Sequence, residues 1–190
     1  MKIIQNPHYS FPKGLYLCYD GLNGQPGQPE ALLKRVADKA SLNGQSLKII
    51  KKTSGKPYGR IDRREIGVAI SHTKTAICCG MNVFGEIGLD IEARNRNVPE
   101  GLRQRITSDK EAAVISGIDT IRLWTIKEAV LKFTGTGLRM AMQKVDLSGN
   151  EDLCYTATVD NMNIRVISFA LNGYWVSVAY SQQQILTPNP

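Results

Sequence analysis

Hydrophobic and polar positions along the chain change their period several times, and each change marks an element. Leu32, Leu33, Val36 and Ala40 recur at helical spacing with Lys34, Arg35, Asp38 and Lys39 outside them, which predicts an amphipathic helix over 30–42. A strand over 47–52 follows, ended by Ser54-Gly55-Lys56-Pro57 as a turn. Strands are predicted over 66–70, 75–81 and 86–92, joined by short turns at 71–74 and near 82–85. Ser108 with Glu111 three residues on is a capping-box signal for a helix reaching about residue 115. Asp119 is the N-cap of a longer helix, with Gly135 just past its end. From 153 to 181 the pattern alternates as three further strands, turning at 160–161 and 172–173. Residues 20–29 form a Gly/Pro-rich loop, and 184–190 a frayed tail. The order helix, strands, helices, strands describes an α+β protein with two tandem stretches of similar length and no repeat of fixed period.

Composition narrows the class. The chain has 190 residues, 42% of them hydrophobic, which suits one domain or two small lobes sharing a core and excludes a disordered chain. No apolar run approaches the roughly 20 residues that cross a bilayer, and no signal peptide is visible before Pro7, His8, Pro12 and Lys13. Four cysteines with no Cys-x-x-Cys pair fit a reduced, cytoplasmic compartment. The net charge of +7 is carried by residues 1–88, with 13 Lys+Arg against 6 Asp+Glu, while residues 89–190 balance at 11 against 11. Eleven basic residues between Lys34 and Lys74 face only Asp38, Asp62 and Glu65, which points to a polyanionic ligand or a basic solvated face.

Two segments carry candidate chemistry. In Gly88-Leu89-Asp90-Ile91-Glu92, strand alternation puts Gly88, Asp90 and Glu92 on one face and Ile87, Leu89 and Ile91 on the other. Neighbouring carboxylates on one face repel unless a cation or basic group lies between them. Mg²⁺, bound through one or two carboxylates and phosphate oxygens, suits that role, and Gly88 leaves room for a ligand. A solvated edge strand is the other reading. In the second segment, Trp124, Glu128 and Lys132 share one helix face. Glu128 can complete a three-carboxylate site with Asp90 and Glu92, and Lys132 can reach a phosphate; an ordinary surface ion pair is the alternative.

Together these segments resemble the 4′-phosphopantetheinyl transferase superfamily. Gly88-Leu-Asp90-Ile-Glu92 and Trp124-Thr-Ile-Lys127-Glu128-Ala129-Val-Leu-Lys132, 31 residues apart, match its two signatures, and Gly55-Lys56-Pro57 and Ser71-His72-Thr73 lie upstream in the right order. The length is similar to the fused, two-lobe type (the surfactin-synthetase-activating type), which implies two α+β lobes about a pseudo-twofold axis with a ligand cleft at the seam. On that resemblance residues 1–88 form the first lobe, with the coenzyme A phosphate contacts, and 89–183 the second, with the metal site. It also implies a cytoplasmic monomer that moves phosphopantetheine from coenzyme A to a serine of an acidic acyl or peptidyl carrier protein. Asp90, Glu92 and Glu128 would hold Mg²⁺ or Mn²⁺. Glu128 would accept the serine proton, and Lys132 and Lys127 would place positive charge at the phosphoryl oxygens. Lys56, Ser71 and His72, with Lys34 and Arg35, would contact coenzyme A, while Arg94, Arg96, Arg103 and Arg105 would dock the carrier.

Two other classes compete. Asp90-Ile-Glu92-Ala-Arg94 loosely resembles a metal-dependent nuclease, but it has Arg94 where a lysine is expected and leaves the Trp124–Lys132 helix without a purpose. A non-catalytic nucleic-acid-binding module rests on charge alone, because the basic region offers Tyr58 as its single aromatic for base stacking. The expectation is that neither nucleic acid nor membrane is a partner.

Overall fold

The computed structural model describes residues 2–4, 11–21, 28–151 and 153–181; most of the 20–29 loop and the whole 184–190 tail lie outside them. The elements run β1 (Lys2–Ile3), β2 (Leu15–Gly21), α1 (Pro29–Lys39), β3 (Lys48–Lys51), β4 (Pro57–Ile61), β5 (Arg64–His72), β6 (Ala76–Asn82) and β7 (Ile87–Ala93). There follow α2 (Leu102–Ile106), α3 (Ala112–Ile115), α4 (Thr120–Thr134), β8 (Asp146–Glu151), β9 (Cys154–Val159), β10 (Met162–Leu171) and β11 (Tyr174–Tyr180). The strands form two antiparallel sheets, ordered β1-β2-β6-β5-β4-β3 and β7-β11-β10-β9-β8. Without β1, the two orders are the same figure. In each, a first strand is followed by a helix and four strands, and the last strand returns beside the first.

Side-chain alternation sorts the core into three apolar clusters. Leu15, Leu17 and Ala69 of the first sheet meet Ile87, Leu89, Ile91, Val176 and Val178 of the second, so the sheets face each other. The outer face of the first sheet is covered by Leu32, Leu33, Val36 and Ala37 of α1. The second sheet is covered by Leu123, Ile126, Ala129, Val130 and Phe133 of α4. No helix among the described residues is long and apolar enough to cross a membrane.

The predicted strands and the long helix are present. Asp119 caps α4 by accepting from the amides of Ile121 (2.8 Å) and Arg122 (3.1 Å), and Gly135 ends it at φ +76°. The 108–115 helix is a 3₁₀ turn over Asp109–Glu111 and four α-helical residues. Four strands, β1, β2, β4 and β8, escaped the pattern, and two of them show why. Every residue of β2 from Leu15 to Tyr19 except Tyr16 is buried, so it shows no alternation, and β4 opens on Pro57 and contains Gly59.

Gly88 corrects one expectation. It does not open a path for a ligand; it lies buried beneath α4, where a Cβ would overlap the carbonyl of Ala129 and the backbone of Phe133. The absent side chain lets the helix approach the strand. Gly88→Ala should therefore destabilise the fold by about 2 kcal/mol or more, because both clashing partners are backbone. Urea unfolding checks this, and an unchanged midpoint would contradict the close packing.

Candidate active site

The site lies where β7, at the edge of the second sheet, passes β5 of the first and is roofed by α4. Alternation turns Asp90 and Glu92 toward α4, while Ala69 and Ser71 of β5 face the second sheet. Asp90 is 4% exposed. Its Oδ1 accepts from Lys132 Nζ (2.7 Å) and Ser71 Oγ (3.0 Å). Ser71 Oγ in turn accepts from Lys132 Nζ (3.1 Å) and the Ile91 amide (3.3 Å), which closes a small ring of hydrogen bonds. Ser71, expected at a phosphate, is instead buried and orients Asp90.

The second oxygens differ. Among the described residues, Asp90 Oδ2 and Glu128 Oε2 are buried with no hydrogen-bond partner. Burial pushes the Asp90 carboxyl up against the lowering effect of Lys132 and Ser71. Burial also raises Glu128, with Asp90 and Glu92 adding repulsion against Lys132, and it raises Glu92, with Asp90 adding to it. The three carboxylates therefore sense one another, and the unmet negative charge favours a cation. They do not yet form a ligand set: among the described residues no three His, Cys, Asp or Glu side chains are grouped to hold a metal ion. The protein's own cations explain this, since Lys132 lies on Asp90 and Arg96 pairs with Glu92. The two orphaned oxygens, both hard donors, nevertheless fit a divalent cation.

Lys132 also links the carboxylates to a cavity of about 250 Å³. Its walls include Lys56 of the turn before β4, Pro57 at the start of β4, Ala69 of β5, Ile87 of β7, and Gly135 beyond α4, so both sheets contribute. Lys56 Nζ donates to the carbonyl of Phe133, caps the C-terminal end of α4, and pairs with Glu86 (2.6 Å). A sequence reading gave no role to Glu86 beyond that of first residue of the 86–92 strand, because its two lysine partners lie 30 or more residues upstream.

Other expected contacts lie elsewhere. His72 ends β5 one residue after Ser71, so alternation sends its exposed side chain to the opposite face. Lys34 pairs with Glu30 on α1 (3.0 Å), and Arg35 is exposed there, on the far side of the first sheet from the carboxylates. Of the four arginines, Arg94 and Arg96 stack on Trp175 (4.7 Å) and Trp124 (5.6 Å). Arg103 turns inward to the carbonyls of Ile115 and Ile118, both at 2.7 Å, and Arg105 is exposed.

Lys127 is a correction. It is fully buried on the side of α4 away from the carboxylates, paired with buried Glu111, and it donates to the carbonyls of Val145 (2.9 Å) and Met142 (3.2 Å). All three ammonium protons are used, so none is left for a phosphate. Glu111 also accepts from the amides of Ser108 (2.9 Å) and Leu147 (3.0 Å). The capping-box signal located this acid, but not its buried partner.

The family assignment rests on this half of the molecule. Residues 86–179 match the family model described as the 4′-phosphopantetheinyl transferase superfamily, a span holding β7, α4, Asp90, Glu92, Glu128 and Lys132. The chain belongs to that superfamily and is a transferase. No curated protein is similar enough to count as a relative.

The buried pair yields a test. Glu111→Ala should cost about 3–5 kcal/mol by leaving the Lys127 ammonium buried and unpaired, whereas replacing both residues by apolar ones should restore much of that loss. Urea unfolding of Glu111→Ala and of the double Glu111→Leu/Lys127→Met checks it. A small cost for Glu111→Ala would mean that the ammonium reaches water.

Proposed function

We propose that the chain transfers the phosphopantetheine group of coenzyme A to a serine hydroxyl of an apo acyl or peptidyl carrier protein, releasing adenosine 3′,5′-bisphosphate. The observation that carries this reading is the placement of Lys132, whose ammonium touches Asp90 while its side chain lines the cavity. A cation so placed can hold a diphosphate in the cavity with the phosphorus beside the carboxylates. The serine oxygen attacks the phosphorus that bears pantetheine, and the bond to the bridging oxygen breaks toward the adenosine side. Glu128, whose Oε2 is unpaired and whose carboxyl is held up by burial, takes the serine proton. Lys132 and Lys56 supply fixed positive charge to the phosphate oxygens, and Ser71 keeps Asp90 in its rotamer. Mg²⁺ or Mn²⁺, held by Asp90 and Glu128 with Glu92, would add charge neutralisation at the same oxygens.

The finer reading extends to the architecture. The repeated strand order supports two lobes, 1–88 and 89–183, related by a pseudo-twofold axis with the cleft at their seam. The cysteines at 18, 78, 79 and 154 are all free, which suits a cytoplasmic enzyme, here taken as a monomer acting on an acidic carrier. His72, Lys34 and Arg35 are not in contact with the carboxylate cluster, so they belong to this proposal only as contacts to the adenosine end of the ligand.

Mass spectrometry decides the reading. Incubated with coenzyme A, Mg²⁺ and an apo carrier, the protein should add one phosphopantetheine to the carrier serine. Asp90→Ala and Glu128→Ala should abolish the transfer, and Lys132→Ala should slow it at least about a hundredfold. Carriers of several pathways that stay unmodified, while a known transferase modifies them, would refute the proposal.

A further inference from the structure

Both cations that line the cavity are already paired with an acid: Lys132 with Asp90 and Lys56 with Glu86. The second pairing lies outside the motifs. Glu86 immediately precedes β7, and its backbone is pinned. Its amide donates to Ser181 Oγ (3.0 Å), and its carbonyl accepts from Asn82 Nδ2 (3.0 Å) and the Ser181 amide (3.3 Å). From this fixed base the side chain reaches two lysines of one turn, Lys52 at 2.8 Å and Lys56 at 2.6 Å.

We propose that Glu86 sets the affinity of the cavity for the anionic end of its ligand, as an internal competitor that a phosphate displaces from Lys56. The inference rests on the reading that this cavity takes the coenzyme A phosphates.

The two partners are unequally held. The Lys56 side chain is 9% exposed, is bonded to the Phe133 carbonyl and lies 5.1 Å over the Phe133 ring, so it stays in place when its acid leaves. Glu86 is 42% exposed and recovers water on release. Burial pulls the Lys56 ammonium toward neutrality and Glu86 opposes it, so an anion that replaces Glu86 must supply comparable charge. A phosphate does so, whereas a weak or neutral ligand leaves the native pair intact. The contact thereby favours phosphates over uncharged analogues of the same shape, and it also releases Lys52 as a further cation at the rim.

Calorimetric titration of coenzyme A and of inorganic pyrophosphate into wild type, Glu86→Gln and Glu86→Gln/Lys56→Met tests the proposal. Glu86→Gln keeps the shape of a half-exposed side chain. It should tighten both ligands about three- to tenfold at low ionic strength. Added salt should shrink the gain, and the double variant should lose it. Unchanged or weaker binding of both ligands by Glu86→Gln overturns the proposal. Coenzyme A bound equally by wild type and Glu86→Gln also overturns it while leaving the functional reading intact. Tighter pyrophosphate with no coenzyme A binding by any variant supports the competitor and rejects the coenzyme A reading.

Discussion

The seating of α4 on Gly88 is the constraint on which the site depends. A helix rests at side-chain distance from a sheet unless a residue without a Cβ lets the backbones meet, and here the missing Cβ would have overlapped Ala129 and Phe133. Because β7 side chains alternate, the same face that takes the helix also carries Asp90 and Glu92. The close approach thus sinks carboxylates under a helix, where an isolated charge costs several kcal/mol. Lys132, one turn beyond Glu128, offsets part of that cost at Asp90 Oδ1. Among the described residues, Asp90 Oδ2 and Glu128 Oε2 still have no hydrogen-bond partner, so the burial of these acids is not fully compensated by the protein itself.

The repeated topology shows how a single architecture can hold a core in one half and a site in the other. In the first half α1 follows β2 as α4 follows β7, but α1 buries an apolar face against Val68, Cys79 and Met81 and brings no acid to its sheet. The halves are not independent, however. Ser71 and Lys56 come from the first half, yet one orients Asp90 and the other caps α4. The cavity follows from that exchange, since its walls come from both sheets and from the end of α4.

Period and punctuation made most of the fold legible. Asp119 and Gly135 bounded α4 correctly, and the 160–161 and 172–173 turns placed β9 to β11, because each signal is local to the backbone it controls. The two-faced reading of 86–92 was also sound. What failed was any inference that required knowing what lay opposite. Gly88 read as space for a ligand because only its own missing side chain was visible. Lys127 read as a phosphate contact because the acid that neutralises it is 16 residues away in sequence. Arg103 misled in a similar way: it read as a docking contact on an open loop, but it turns inward to satisfy the carbonyls of Ile115 and Ile118.

These failures give a physical meaning to the spacing Trp124-x-x-Lys127-Glu128-Ala129-x-x-Lys132. Residues 124, 128 and 132 share the face toward the cleft, where they are half-buried. Ala129 presents its backbone to Gly88, so a small side chain is required where the helix touches the strand. Lys127 points the other way and ties α4 through Glu111 to the segment entering β8. A helix held on one side by a glycine contact and on the other by a saturated ion pair has little freedom to roll about its axis. Rolling would carry Glu128 away from Asp90 and break the Lys132 contact. The lysine without a ligand to hold is therefore as much a condition of the site as the lysine that lines it.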